Sequence, residues 1–156
     1  MTAITRACLV YCFGELLKMV QLSGIYDDSK TFVDMPMRYA PEAILAKFNF
    51  LSNRDESFNT TELQLFLARD FYEAGSDLLE WTPTDYIPNP DFIDKISNVA
   101  YQSWAKDLND LWLVLGRKHA KSVAEYPERQ SYLPRKYPFI VPGGRFRETY
   151  YWDSFW

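Results

Sequence analysis

The sequence predicts an all-α fold with long Pro-rich loops, and three observations carry that prediction. From Ser97 to about Val123, Ala100, Trp104, Leu108, Leu111, Trp112 and Leu115 recur on one helical stripe, while Lys106, Asp107 and Asn109 lie off it. Shorter upstream segments repeat the same spacing. No stretch alternates apolar and polar residues long enough to mark a strand ladder, and there is no internal repeat or low-complexity tract.

Taken in order, the elements follow from spacing and punctuation. Met1 to Cys12 is mildly apolar with Arg6 inside it. It lacks the charged start, long apolar stretch and small-residue cleavage site of a secretory leader, so it reads as a truncated or mis-started N-terminus. Phe13 to Leu22 places Leu16, Leu17 and Val20 on one helical face, and Ser23-Gly24 stops it. Ile25 to Arg38 reads as a loop holding a short extended Thr31-Phe32-Val33. Pro41 opens a second helix, where its missing N–H costs nothing, and Ile44, Leu45, Phe48 and Leu51 form its apolar face. Ser52 to Ser57 is polar and expected at the surface. Asn59 followed by Glu62 is a helix-start pattern, with Leu63, Phe66, Leu67 and Phe71 at helical spacing behind it. Gly75 to Pro90 holds Pro83, Pro88 and Pro90 and reads as a connection. The long helix is weakened or bent by Gly116 and ended at the latest by Tyr126-Pro127. Ser131 to Val141 is extended.

Composition narrows the function. With 156 residues, 47% hydrophobic and 24% charged, the chain is globular and long enough for one modest core. Its net charge is -4, and its Lys and Arg are scattered among acids, which argues against a nucleic-acid partner. Two cysteines, Cys8 and Cys12, and one distant histidine, His119, make a poor metal set, so no metal site is expected. Cys8 and Cys12 could bridge, pair elsewhere or stay free. Asn59-Thr60-Thr61 is an acceptor sequon for N-glycosylation and mildly supports an extracellular protein. No apolar run reaches the roughly 18 residues a spanning helix needs.

The aromatic content is high, with five Trp, 11 Tyr and 11 Phe; flat rings can pack on sugar faces, but most of these residues are expected to fill a core. The last fifteen residues are Pro142-Gly143-Gly144-Arg145-Phe146-Arg147-Glu148-Thr149-Tyr150-Tyr151-Trp152-Asp153-Ser154-Phe155-Trp156. Pro142 gives a rigid entry, and the two glycines have free φ, which lets the backbone approach something closely. Arg offers a planar fork of donors and Asp two acceptor oxygens. A sugar needs both kinds of partner for its hydroxyls and a flat apolar face for its ring. The competing reading is structural ion pairs among Arg145, Arg147, Glu148 and Asp153 around a bulky core.

This terminal segment resembles the trehalase pattern Pro-Gly-Gly-Arg-Phe-x-Glu-x-Tyr-x-Trp-Asp at every fixed position. The resemblance extends upstream to Asp28-Ser29-Lys30-Thr31-Phe32-Val33-Asp34-Met35, to Trp81-Thr82-Pro83-Thr84-Asp85, and to Trp104 through Trp112 running on to Gly116-Arg117-Lys118. It covers roughly Tyr11 to Trp156 and is similar to the animal, insect branch. The resemblance implies an (α/α)6 barrel of which residues 1–156 form the N-terminal portion of a single catalytic domain. It implies hydrolysis of α,α-trehalose to two glucose molecules with inversion, by an Asp acid and a Glu base about 6.5–9.5 Å apart. No cofactor is implied. Substrate contacts fall on Arg145, Trp152 and Asp153, with Phe146 as a wall, while Arg147, Glu148, Tyr150 and Tyr151 hold the loop.

In the family the catalytic acid and base lie downstream, so no catalytic residue is assigned in this chain. Any membrane anchor is expected beyond Trp156, and the full-length protein is expected to be secreted or on the cell surface. The competing class is a non-catalytic sugar-binding or helical interaction protein derived from the fold. The 156-residue chain alone is expected to fold poorly, with apolar helix faces uncovered, and to release no glucose from trehalose; a glucose-release assay on the purified chain checks this.

Overall fold

A computed structural model describes residues 2–54 and 58–153. The chain divides into two compact units, Met1–Asp77 with Ala120–Pro134, and Leu78–His119 with Arg135–Trp156.

The first unit is helical. Helix α1 (Ala3–Tyr11) buries Ala7, Val10 and Tyr11, and a Cys8–Cys12 disulfide ties its last turn. The bridge closes so short a loop that it restricts the unfolded chain little. Helix α2 (Glu15–Leu22) buries Leu16 and Val20, two positions of the expected face. Lys30–Val33 forms a helical turn, α3, where an extended segment was expected. Two contacts override the extended preference of the β-branched Thr31 and Val33. The Asp28 carboxylate accepts a hydrogen bond from the Lys30 N–H at 2.8 Å, and Phe32 turns fully into the core.

Helix α4 (Pro41–Arg54) starts at the expected proline and runs on through Ser52 and Asn53, the start of the polar stretch. Residues Asp55, Glu56 and Ser57, the rest of that polar stretch, lie outside the described residues. Helix α5 (Thr60–Asp70) starts as its sequence dictates: the Asn59 side-chain oxygen accepts from the N–H groups of Thr61 at 2.9 Å and Glu62 at 3.2 Å.

The core of this unit is a run of rings. Tyr11, Phe32, Phe71, Phe66 and Phe48 follow one another with centroids 5.3–6.1 Å apart, all tilted or edge-on. At its edge Asp70 is fully buried, and its two oxygens are taken by Lys47 at 2.6 Å and Arg69 at 2.8 Å. A carboxylate out of water requires such partners. The returning segment closes the unit. Helix α8 (Lys121–Glu125) buries Val123, and the Arg129 carbonyl accepts from the Met37 N–H at 2.9 Å.

The second unit departs from the all-α expectation. Strands β1 (Leu78–Glu80), β2 (Gly116–His119) and β3 (Phe139–Ile140) make an antiparallel sheet in that order. Leu79 faces Lys118 and Arg117 faces Phe139 in the register. These strands are too short for an alternation pattern to emerge, and their partners are far away in the chain. Helix α6 (Asp91–Asp94) is one turn, and helix α7 (Val99–Leu115) is capped by the Asn98 side chain. It stops at Leu115, well before the expected end near Val123. None of its residues is fully buried, and Trp104 is 61% exposed.

The helix ends there because residue 116 is needed elsewhere. The Trp81 N–H donates to the Gly116 carbonyl at 3.0 Å, and a Cβ on residue 116 would stand 1.9 Å from the Trp81 carbonyl oxygen. Gly116→Ala is therefore expected to part β1 from β2 and to destabilise the protein by about 1–3 kcal/mol, the usual cost of overpacking, read from denaturant unfolding.

His119 at the end of β2 gives a pH dependence. Its Nδ1 accepts the Arg135 N–H at 2.9 Å, and its ring meets Phe139 edge-on at 5.0 Å. Burial, and then the Arg135 charge, hold the imidazole below its ordinary 6.5. The folded state thus resists a proton that the unfolded chain accepts. This contribution is complete above pH 6.5 and is lost as the pH falls through the lowered value. Thermal unfolding is expected to show a lower midpoint at pH 5 than at pH 7.5, and His119→Gln should reduce that difference.

Candidate functional site

The terminal motif is delivered by the sheet. After β3, the Val141 N–H donates to the Leu115 carbonyl at 3.0 Å, and Val141 is buried. The chain therefore enters the motif from a fixed point beside the end of α7. Gly143 and Gly144 then adopt φ of 105° and 58°, a region that side chains disfavour. The reversal pairs Gly143 with Phe146: the Phe146 N–H donates to the Gly143 carbonyl at 3.0 Å. The free φ of the two glycines is used for this turn, which puts Arg145 at its tip and Phe146 at its closing bridge.

All four residues assigned to the substrate are exposed. Phe146 is 47% exposed, and Tyr150 packs edge-on against its ring at 5.5 Å. The Arg145 guanidinium lies 5.9 Å from the Phe146 centroid. Trp152 is 87% exposed, with Tyr151 edge-on at 5.1 Å. Arg147, Glu148 and Tyr150 are half-buried, while Tyr151, grouped with them in the sequence reading, is 71% exposed. Ser154, Phe155 and Trp156, the last residues of the segment quoted above, lie outside the described residues.

Of the four, Asp153 alone lines a cavity of about 510 Å³, together with Leu108, Leu111 and Leu115 from α7, Phe92 from α6 and Pro142. Arg145, Phe146 and Trp152 do not line that cavity. The arrangement offers a donor fork, two flat rings and a carboxylate on one short segment. It can grip hydroxyls and ring faces; nothing in it pairs two carboxylates across a substrate.

A second cavity of about 520 Å³ in the same unit was not foreseen. It is lined by Trp81, Asp85, Tyr86, Phe92, Trp112 and Phe139 among others. The Tyr86 hydroxyl donates to Asp110 at 2.6 Å, which pushes its phenol above the ordinary value. The Asn109 amide donates to the Ile87 carbonyl at 2.9 Å. The signal was present in Trp81-Thr82-Pro83-Thr84-Asp85, which has the same mixture of ring and carboxylate as the terminal motif. Among the described residues, no three His, Cys, Asp or Glu side chains gather as a metal site, and no helix is long and apolar enough to cross a membrane.

Comparison with known proteins supplies the remaining fact. The family model for Trehalase matches residues 24–156. The trehalase of Homo sapiens is 46% identical over 94% of this chain, that of Oryctolagus cuniculus 44% over 94%, and that of Bombyx mori 47% over 94%. The chain spans about a quarter of the length of these relatives: 25%, 26% and 25% respectively. With its motif on a glycine-built turn and its match along nearly the whole chain, the protein belongs to the trehalase family.

Proposed function

We propose that this chain is the N-terminal portion of the single catalytic domain of an α,α-trehalase, whose full-length form hydrolyses trehalose to two glucose molecules with inversion. The observation that carries the reading is the hairpin at Gly143 and Gly144, which exposes Arg145 and Phe146 just ahead of Trp152 and Asp153. In this reading Arg145 donates to sugar hydroxyls, Trp152 is the ring platform, Asp153 accepts from a hydroxyl and Phe146 is a wall. The carboxylates that cleave the glycosidic bond come from elsewhere in the full-length protein. The complete domain is an (α/α)6 barrel, a reading supported by family membership and by the succession of helices in both units. The exposed apolar residues of α7 suit a helix that packs further helices.

The full-length protein is secreted or displayed at the cell surface. Support comes from the Cys8–Cys12 bridge, which persists in oxidising compartments, and from the exposed Asn59 sequon. Asn59 uses its side-chain oxygen as a helix cap, so its amide nitrogen can carry a glycan without losing the cap.

The decisive experiment is steady-state kinetics on the full-length enzyme carrying Arg145→Ala. Each charge-assisted hydrogen bond to substrate is worth roughly 1.5–3 kcal/mol, so kcat/KM should fall at least about tenfold. Unchanged kinetics in a folded variant would show that Arg145 only shapes the loop.

A further inference from the structure

The first unit holds a cavity of mixed lining that none of the residues assigned to trehalose lines; Pro36, Met37 and Tyr72 form apolar parts of its wall. Its volume is about 240 Å³, and Ser76, Asp77, Ser122, Tyr126, Arg129 and Gln130 contribute to its walls. At about 30 Å³ per water, that is room for roughly eight waters.

What sets the cavity apart is the state of its polar walls. Asp77 is 5% exposed and Gln130 6%. One Asp77 oxygen accepts the Tyr132 hydroxyl, but Oδ1 has no hydrogen-bond partner. Gln130 Oε1 and Arg129 Nε are likewise buried and unpartnered. Leaving a buried polar atom unsatisfied is unfavourable, so three in side chains that wall one cavity is a strong demand for a partner. The Arg129 guanidinium is already fixed in place: it donates to the Arg38 carbonyl at 3.2 Å and lies 3.9 Å over the Tyr126 ring. Burial also raises the Asp77 carboxyl above its ordinary value, against the hydrogen bond from Tyr132 that lowers it.

The donor and acceptor set selects the ligand. A carboxylate disfavours an anion, and a guanidinium disfavours a cation. Two acceptor oxygens and one N–H, with the hydroxyls of Ser76 and Ser122 nearby, match a neutral molecule whose adjacent hydroxyls both donate and accept. We propose that this cavity binds a small neutral polyhydroxylated ligand of the monosaccharide class, held by Asp77, Gln130 and Arg129. The three orphan atoms are closed to solvent in this conformation, so the ligand engages them as the Asp77 and Gln130 side chains rotate. The site stands apart from the trehalose reading and does not depend on Arg145.

Titration of the full chain with D-glucose, followed by calorimetry and by the side-chain amide NMR signal of Gln130, tests this. Saturable binding that shifts the Gln130 signal is expected. Gln130→Met and Asp77→Asn, each with an unchanged far-ultraviolet circular dichroism spectrum, should weaken it at least about tenfold, the loss of one charge-assisted or buried hydrogen bond. Arg145→Ala should leave it intact, and inorganic phosphate and methylammonium should not compete. The proposal is overturned if glucose does not shift the Gln130 signal, if binding survives both cavity variants, if Arg145→Ala abolishes it, or if either ion displaces it.

Discussion

The carbonyl of Trp81 occupies the space in which any side chain at position 116 would stand. That single close approach organises the second unit. It ends α7 at Leu115, starts β2, and lets β2 pair with β1 on one side and β3 on the other. Strand β3 then hands the chain to Val141, and Val141 to the paired glycines of the motif. The position of Arg145 and Phe146 thus depends on a backbone contact made by a residue with no side chain. Glycine is required here for close approach; its φ of -67° is ordinary.

The two units answer the burial problem differently. The first packs five rings in sequence and pairs the fully buried carboxylate of Asp70 with Lys47 and Arg69. The second leaves large apolar side chains of α7 and Trp152 at its surface. Exposed rings beside Arg145 and Asp153 suit recognition of a molecule that has both apolar faces and hydroxyls. The cavity at Asp77 shows the opposite economy: its polar atoms are buried ahead of any partner. A carboxylate, an amide oxygen and a guanidinium nitrogen held in this way are poised for a ligand that satisfies all three together.

Much of the first unit was legible from the residues. Pro41 marked the start of α4, Asn59 the cap of α5, and Leu16, Val20, Ile44, Phe48, Leu63, Phe66 and Phe71 the buried faces, because helix periodicity and capping are local. The exposure of Arg145, Phe146, Trp152 and Asp153 accords with a polar and aromatic motif behind two glycines. The turn at Lys30–Val33 was misread because burial of Phe32 outweighed the local preference of Thr31 and Val33.

The residues alone established helix starts, the core faces of the first unit, the free φ of Gly143 and Gly144, and the chemistry the motif can offer, since each rests on neighbours within a turn or two of chain. Only the folded chain decided that Gly116 belongs to a strand, that Leu78–Glu80 and Phe139–Ile140 flank it, that Cys8 bridges Cys12, and that Asp77, Arg129 and Gln130 wall one cavity. Most of these join residues tens of positions apart, whose pairing is set by loop closure and packing and leaves no periodic mark in the sequence.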